Sequence, residues 1–373
     1  MRSSGSPGLR TFFLKKMNKI FNRIAGFTFK IFTLASVAMG LSSCESIFDY
    51  EGDCDPKYFV KFEYTMHMEK GDAFKEQVKA VDLWIFDSET GKYVDHVYST
   101  VADLAQYNYL LPIDVKPGNY DFVAWCGDID NRHFKVNDEI NHSSDARCRL
   151  HKRKYEGAKA ISDENLDLIF HGKLDGAVLP DEQGSHIYTI PLIRDVNNIS
   201  ITLQHVSGEF DTTHKRITMS DNNGTMHHDN SIDETDEFIT FRPWSLVTGT
   251  LEGDKQSRAD YDEDHDGFTD VNGGKGNYMN IELSTARLMT GHNPLVTIMD
   301  EENGKVMFEI PVVKWLLQLR SKQYSSMEDQ EYLDRKNQHE LMVLLQDDGK
   351  GGWMAVSVVI NGWHMIDNGE IEM

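Results

Sequence analysis

Val60-Lys-Phe-Glu-Tyr-Thr-Met-His-Met68 is the stretch whose reading decides the fold of this chain. Val60, Phe62, Tyr64, Met66 and Met68 alternate with Lys61, Glu63, Thr65 and His67, a period of two that belongs to a strand with one face in a core and the other in water. Ile199, Ile201 and Leu203 repeat the pattern against Ser200, Thr202 and Gln204. Residues 81–86 are apolar on both faces, as in a strand covered on each side, and Ser88-Glu-Thr-Gly91 then turns the chain. A further strand is expected over 120–125, after Pro117-Gly118.

Asn223-Gly224, Asn303-Gly304 and Asn361-Gly362 each lie between β-patterned segments, and Asn-Gly supplies the positive φ angles of tight hairpin turns. Met354, Val356, Val358 and Ile360 ahead of Asn361-Gly362 and Trp363 predict a hairpin near the C-terminus. Helical stripes are few: Val312, Trp315, Leu316 and Leu319 make one, and 100–107 another. Short strands joined by turns, without alternating long helices, predict an all-β chain of antiparallel β-sandwich build rather than a parallel α/β sheet. Length allows two domains. The boundary is expected near 185–197, giving an N-terminal domain over 56–190 and a C-terminal domain over 191–373, with polar inserts at 127–165, 207–235, 252–277 and 321–339 as surface loops.

Ahead of these strands lies the basic-then-apolar segment of the sequence. Lys15, Lys16, Lys19, Arg23 and Lys30 precede an apolar run over 31–41 that is of signal-peptide length and too short to span a bilayer. It ends in Leu41-Ser-Ser-Cys44, which reads as a bacterial lipobox. The expectation is a signal peptide over 1–43, started from Met1 or from Met17, with Cys44 as the lipidated N-terminal residue and 44–55 as the linker. Two or more acyl chains give stable anchoring where one is marginal. Processing removes seven basic and no acidic side chains from a chain of formal charge −22, leaving −29. Such a surface repels nucleic acid and anionic headgroups, so the lipid is the expected membrane contact.

Beyond Cys44 the chain has Cys54, Cys126 and Cys148, which allow one bridge and one spare thiol. Cys126 with Cys148 is the expected pair because both flank one polar excursion, although spacing alone leaves the other pairings open. No Cys-x-x-Cys or His-x-x-x-His spacing points to zinc. Asp262, Asp264, Asp266 and Asp270, with Gly267 at the turn, match the first nine positions of a calcium loop, but Gly273 stands where the bidentate carboxylate belongs. A solvated acidic loop is therefore favoured over weak calcium binding. His227-His228-Asp229 reads as a polar turn, since adjacent side chains on an extended segment point apart. Trp84, Trp125, Trp244, Trp315, Trp353 and Trp363 sit mostly in β-patterned runs, which favours core packing over a sugar-stacking platform. No nucleophile elbow, zincin helix, phosphate loop or dinucleotide fingerprint is present, so a non-enzymatic protein without cofactor is expected.

Several segments together resemble one family. They are Cys44-Glu-Ser-Ile-Phe-Asp-Tyr50, Gly52-Asp-Cys-Asp-Pro56 leading into Val60-Lys-Phe-Glu-Tyr64, Val81-Asp-Leu-Trp-Ile-Phe-Asp87, Pro117-Gly-Asn-Tyr-Asp-Phe-Val-Ala-Trp125, Arg194-Asp-Val-Asn-Asn-Ile-Ser-Ile-Thr-Leu-Gln204 and Ile360-Asn-Gly-Trp363. In order and spacing they are similar to the FimB/Mfa2 family of fimbrial anchor lipoproteins from the Bacteroidetes. The resemblance implies two tandem transthyretin-like antiparallel β-sandwich domains, a lipid anchor in the outer membrane through Cys44, and a place at the base of a type V pilus, where the family holds the filament and limits its length. Subunits of such pili join by strand exchange, with affinity from main-chain hydrogen bonds and alternate side chains in apolar slots. Carried onto this chain, the first strand, with Val60, Phe62 and Tyr64, fills its own domain. The C-terminal hairpin over 353–373, with Val356, Val358 and Ile360, is either a pilin contact or an internal pair of the second domain. Polymerising pilins are cut after a basic residue in the linker, whereas 44–55 contains no Lys or Arg, which implies a retained N-terminal segment. The implied partners are pilin subunits and the outer membrane, with no nucleic acid and no small-molecule substrate. Two alternatives stand beside this: a surface glycan-binding lipoprotein using exposed tryptophans, and a tip subunit or adhesin of the same superfamily.

Overall fold

Lys57–Glu63 is the first strand of the computed structural model, which describes residues 55–365 apart from 152, 158, 208–209, 212, 250–256, 259–274, 277, 319 and 361–362. The strand is shorter than the alternation over 60–68. Asp72 Oδ1 accepts from Tyr64 N at 2.8 Å and from Phe74 N at 3.0 Å, and Ala73 N donates to Tyr64 O at 2.9 Å, so the chain leaves the sheet after Glu63. Tyr64 nevertheless stays buried.

The first strand belongs to a sheet whose spatial order is Tyr93–Thr100, Ala80–Asp87, Gly118–Gly127, Ile169–Leu179, Ser185–Arg194, Lys57–Glu63 and Leu110–Ile113. The sheet folds into two layers at Pro191. Up to that residue the Ser185–Arg194 strand pairs with the first strand, Glu63 lying opposite Pro191, and from Leu192 onward it pairs with Ile169–Leu179, Leu192 lying opposite Gly172. Proline has no N–H to give to a ladder, which suits a point of transfer. Val60, Phe62, Leu83, Ile85, Phe122, Phe170, Ile190 and Leu192 fill the space between the layers. The short helix Phe74–Gln77 adds Phe74 to that core. The segment over 100–107 forms the helix Val101–Leu104, capped where the Thr100 side chain accepts from Asp103 N, and a 3₁₀ turn over Ala105–Tyr107.

The second half repeats the construction. One sheet runs Ser257–Arg258, Ser245–Gly249, Tyr278–Ala286, Val196–His205, Gln338–Asp347, Trp353–Ile360, Trp363–Met365, and another runs Lys305–Pro311, Leu295–Asp300, Lys215–Asp221, Ile239–Phe241, Lys159–Ser162, Lys154–Glu156. Ile199, Ile201, Leu203 and Val343 from the former meet Ile217, Met219, Phe241 and Ile298 from the latter in one core, joined by Trp315 and Leu316 of the helix Val312–Gln318. Pairing is mostly antiparallel. The parallel pairs are the first strand with Ser185–Arg194, Val196–His205 with Gln338–Asp347, and Ile239–Phe241 with Lys159–Ser162. Among the described residues no helix is long and apolar enough to cross a membrane.

The expected loops are not structureless: the 207–235 insert contains the strands Lys215–Asp221, in which only Ile217 and Met219 are apolar, and Thr225–His227. The insert over 127–165 contains the strands Phe134–Val136, Arg147–Leu150, Lys154–Glu156 and Lys159–Ser162, of which Arg147–Leu150 pairs with Thr225–His227 and Lys159–Ser162 with Ile239–Phe241 of the second half. The 321–339 insert contains the helix Asp329–Arg335, with Tyr332 and Leu333 buried. Strands of three or four residues and a helix of two turns are too short to raise a periodic signal over their polar neighbours. Asn303-Gly304 closes a hairpin as expected, with Gly304 at φ 69°. Asn223-Gly224 does not: Lys215–Asp221 and Thr225–His227 pair with other strands, and the buried Asn223 side chain donates to Thr285 Oγ1 at 3.2 Å and to Arg287 O at 3.0 Å. Its amide bridges the Thr285 hydroxyl and the Arg287 backbone rather than shaping a turn.

Candidate functional site

The candidate site is the set of strands expected from the sequence to meet a partner: the first strand and the C-terminal hairpin. The first strand lies inside its layer and not at the edge. Val60 sits opposite Tyr188 on the parallel side and Leu111 on the antiparallel side, and Phe62 opposite Ile190. Val60, Phe62 and Tyr64 are all buried. Phe62 stacks on Phe74 at 5.9 Å, and Tyr64 meets Phe170 edge-on at 4.9 Å. The strand's end is tied to the second half: Asn337 Nδ2 donates to Tyr64 Oη at 2.9 Å, and Arg335 Nη1 donates to Thr65 O at 3.0 Å. At its start Tyr58 Oη donates to Pro180 O at 2.6 Å. Each of the buried side chains is worth roughly 1.5–3 kcal/mol of burial, so the domain is complete only with this strand in place.

The C-terminal residues behave differently from one another. Trp353–Ile360 lies between Gln338–Asp347 and Trp363–Met365, with Ile360 opposite Trp363; Asn361 and Gly362, expected to turn there, lie outside the described residues. It is an internal pair of its sheet. Val358 and Ile360 are buried, but Val356 is 36% exposed, because the register shifts between Leu344 and Leu345 and Val356 falls at the resulting bulge. Met342 and Met354 show on the outer face at 37% and 46% exposure.

Cys126 and Cys148 are free and buried, which corrects the expected bridge. The physical reason is the pleat: Cys126 shares a face with Phe122 and Ala124 in the first core, whereas Cys148 lies in the second core, with Trp125 and Val123. Burial pushes both thiols well above the usual range, so neither is a reactive thiolate. Cys44, Cys54 and the Asp262, Asp264, Asp266 and Asp270 loop lie outside the described residues. Among those described, no group of three or more His, Cys, Asp or Glu side chains is placed to hold a metal ion. Trp84, Trp125, Trp315 and Trp353 are buried in the core, as the patterning favoured, and Trp244 is half-buried.

Sequence reading missed a polar cluster at the junction of the two halves. Arg287 donates through Nε and Nη2 to Asp334 Oδ1 and Oδ2 at 2.8 and 2.7 Å, and through Nη1 to Asn230 O at 2.6 Å. Asn230 Nδ2 donates to Asp195 Oδ1 at 2.9 Å, and Arg287 Nε stands 3.8 Å from the same oxygen. All four residues are buried. Burial raises the Asp195 carboxyl to about 7, against the opposing pull of Arg287 and the Asn230 hydrogen bond. The signal was the charged Arg194-Asp195 pair between two apolar strands, but its partners are distant in sequence.

Two β-sandwiches, the first completed by an N-terminal strand held between neighbours, define a structural subunit built from sheets. The chain belongs to the family of fimbrillin-A associated anchor proteins Mfa1 and Mfa2, whose family model matches residues 50–369. No curated protein matches it in sequence. Among solved structures it is similar to a candidate adhesin from Bacteroides thetaiotaomicron, at 26% identity and a TM-score of 0.67 over 85% of this chain and 100% of that one. A protein from the same organism described as a candidate polysaccharide-binding protein matches at 24% identity and a TM-score of 0.66, over 85% and 99%. The fimbrial anchor protein Mfa2 from Porphyromonas gingivalis shares the fold at 15% identity and a TM-score of 0.59, over 83% and 99%. The protein is thus a fimbrial component, with the surface association and subunit partners that this family carries.

Proposed function

We propose that the protein is the lipid-anchored basal subunit of a type V fimbria, holding the filament to the outer membrane through Cys44 and limiting its length by capping the pilin stack through sheet contacts. The observation that carries the reading is the first strand: it fills its own layer, it is tied at its end to Asn337, and no Lys or Arg precedes it over 44–55 at which it could be cut away. A subunit that keeps this strand offers no vacant groove on that side and passes load to whatever holds its N-terminus. The role is non-enzymatic, with no cofactor beyond the covalent lipid. Electron microscopy of wild-type, deletion and Cys44→Ala cells tests it. Longer or shed filaments in both mutants are expected, while filaments unchanged in length and attachment would refute the basal role. A major surface form whose N-terminus begins after Lys57 would refute the retained strand.

A further inference from the structure

Tyr93–Thr100 stands at one end of the strand order of the first sheet, and among the described residues no strand lies beyond it. We propose that an extended segment of another fimbrial subunit, carrying a Lys or Arg, adds to the sheet as a strand along this edge. The inference deepens the proposed sheet contact by naming where it is made, and it rests on that reading for the identity of the partner.

An unpaired edge is a template for further pairing, and proteins ordinarily protect theirs with short strands, Lys or Pro. Leu110–Ile113, at the opposite edge of the same sheet, is four residues long and contains Pro112. Lys305–Pro311 and Lys154–Glu156, the edges of the six-stranded sheet, each begin with a lysine, and the former ends in proline. Tyr93–Thr100 has eight residues with no Lys, Arg or Pro, and its Tyr98 is 53% exposed.

Register shows which main-chain groups the edge offers. Val101 N donates to Lys79 O at 2.8 Å, and the ladder begins with Ala80 opposite Thr100. By the alternation of antiparallel pairing, Ser99, Val97 and Asp95 turn their main-chain groups towards Ala80–Asp87, while Thr100, Tyr98 and His96 turn theirs outward. The His96 N–H is met by Asp95 Oδ1 at 2.9 Å, and Thr100 O accepts from Ser99 Oγ at 3.3 Å. The N–H of Tyr98 and Thr100 and the C=O of His96 and Tyr98 remain for an incoming strand. Ahead of the bulge at Val94 the edge already receives outside backbone: Tyr93 N donates to Asn141 O at 3.0 Å, and Lys92 bridges to His142.

Charge chooses the incoming side chain. Asp95 is bonded to the His96 N–H and Asp103 to the Thr100 hydroxyl, and neither these nor Asp130 forms a salt bridge with a described Lys, Arg or His. The neighbouring cations are engaged: His96 pairs with Asp82, Lys79 Nζ donates to Glu76 O at 2.6 Å, and Lys92 lies at the covered end beside Asp87. Lys135, on the wall of a cavity of about 470 Å³ that Tyr98 and Asp130 also line, pairs with Asp138 at 2.9 Å. Burial and the carboxylates of Asp130, Asp82 and Asp103 hold the Tyr98 hydroxyl above its usual range. A guanidinium or ammonium placed opposite Tyr98 meets those carboxylates and the exposed ring together.

Photocrosslinking in fimbriated cells tests this, with p-benzoylphenylalanine replacing Tyr98 and, for comparison, Val306 on the Lys305–Pro311 edge. The expected result is an adduct from position 98 with a fimbrial subunit, mapped by mass spectrometry to a segment containing Lys or Arg. That segment, made as a fluorescent peptide, is then titrated into the purified protein. Tyr98→Pro removes an outward N–H and the ring but no bond of the ladder, so it should melt with the wild type and bind about fivefold to tenfold more weakly. Asp130→Asn should weaken binding about twofold to fivefold without touching the strand. No adduct from position 98 on attached filaments, an adduct from position 306 alone, an adduct only with a second copy of this chain, or peptide binding that both variants leave unchanged would each overturn the proposal. Failure of the basal role shows separately, in unchanged filaments of the Cys44→Ala cells.

Discussion

Removing the first strand should unfold the protein, and supplying it from outside should restore the fold. Tyr58, Val60, Phe62 and Tyr64 are buried along Lys57–Glu63 and the residue after it. At roughly 1.5–3 kcal/mol each they contribute about 6–12 kcal/mol of burial, before the backbone ladders on either side of the strand are counted. That is comparable to the whole stability of an ordinary domain, about 5–15 kcal/mol. A chain beginning at residue 65 is therefore expected to show no cooperative thermal transition by near-UV circular dichroism. Adding a peptide of residues 57–67 in excess should restore one, since binding of the strand to the folded form alone pulls the equilibrium towards it and recovers main-chain bonds and side-chain pockets together. The same peptide with Phe62→Asp places a charge between Phe74 and the core and should not rescue. A truncated chain that melts as cooperatively and at the same temperature as the intact one would refute the reasoning, because the strand would then contribute nothing to the core it fills.

Three further outcomes follow from the buried groups. Asp195 titrates near 7 when folded and near 3.9 when unfolded; the folded state holds the proton more tightly, so stability present below about pH 4 is lost as pH rises towards 7, by up to roughly 4 kcal/mol. His171, pushed down to about 4, and His339, pushed down to about 3, slope the other way, so the check is the difference between wild-type and Asp195→Asn denaturation curves across pH 4–8, which should grow in the variant's favour and not stay flat. Cys126 and Cys148 should be silent to a thiol reagent in the native protein and both react after denaturation without reductant. Gly172→Ala should cost about 1–3 kcal/mol, because a Cβ there would stand 2.6 Å from Ile190 Cγ2 and 2.7 Å from Leu192 Cδ2; urea melts read the shift.

How far the fold was legible depended on the length of each element. Ala80–Asp87, Gly118–Gly127 and Val196–His205 are long enough for alternation or continuous apolarity to stand out, and all three are strands. The strands over 134–162 were hidden because each is only three or four residues long, and Arg147–Leu150 and Lys159–Ser162 also pair with strands that come much later in the chain. Val356 was assigned by simple parity to the face of Val358 and Ile360, and one bulge reversed it. At the candidate site the first strand was visible from Val60, Phe62 and Tyr64 alone, but its confinement on both sides depends on Leu110–Ile113 and Ser185–Arg194, which no local pattern pairs with it. The Cys126–Cys148 expectation failed on the pleat, since proximity in sequence says nothing about which side of a sheet a thiol occupies. The outward main-chain groups of His96, Tyr98 and Thr100 likewise follow only from the register with Ala80–Asp87.

The placement of Lys57–Glu63 between two neighbours also sets how the molecule carries force. A pull applied along the strand axis loads the rungs to Ser185–Arg194 on one side and to Leu110–Ile113 on the other in shear, so that they share the strain at once. Peeling, in which rungs break one after another, would require a pull across the sheet. Because Ser185–Arg194 runs on into the layer with Ile169–Leu179, that load is handed on through continuous backbone and not through side-chain contacts alone. The strand is a mechanical clamp against a pull along its own axis.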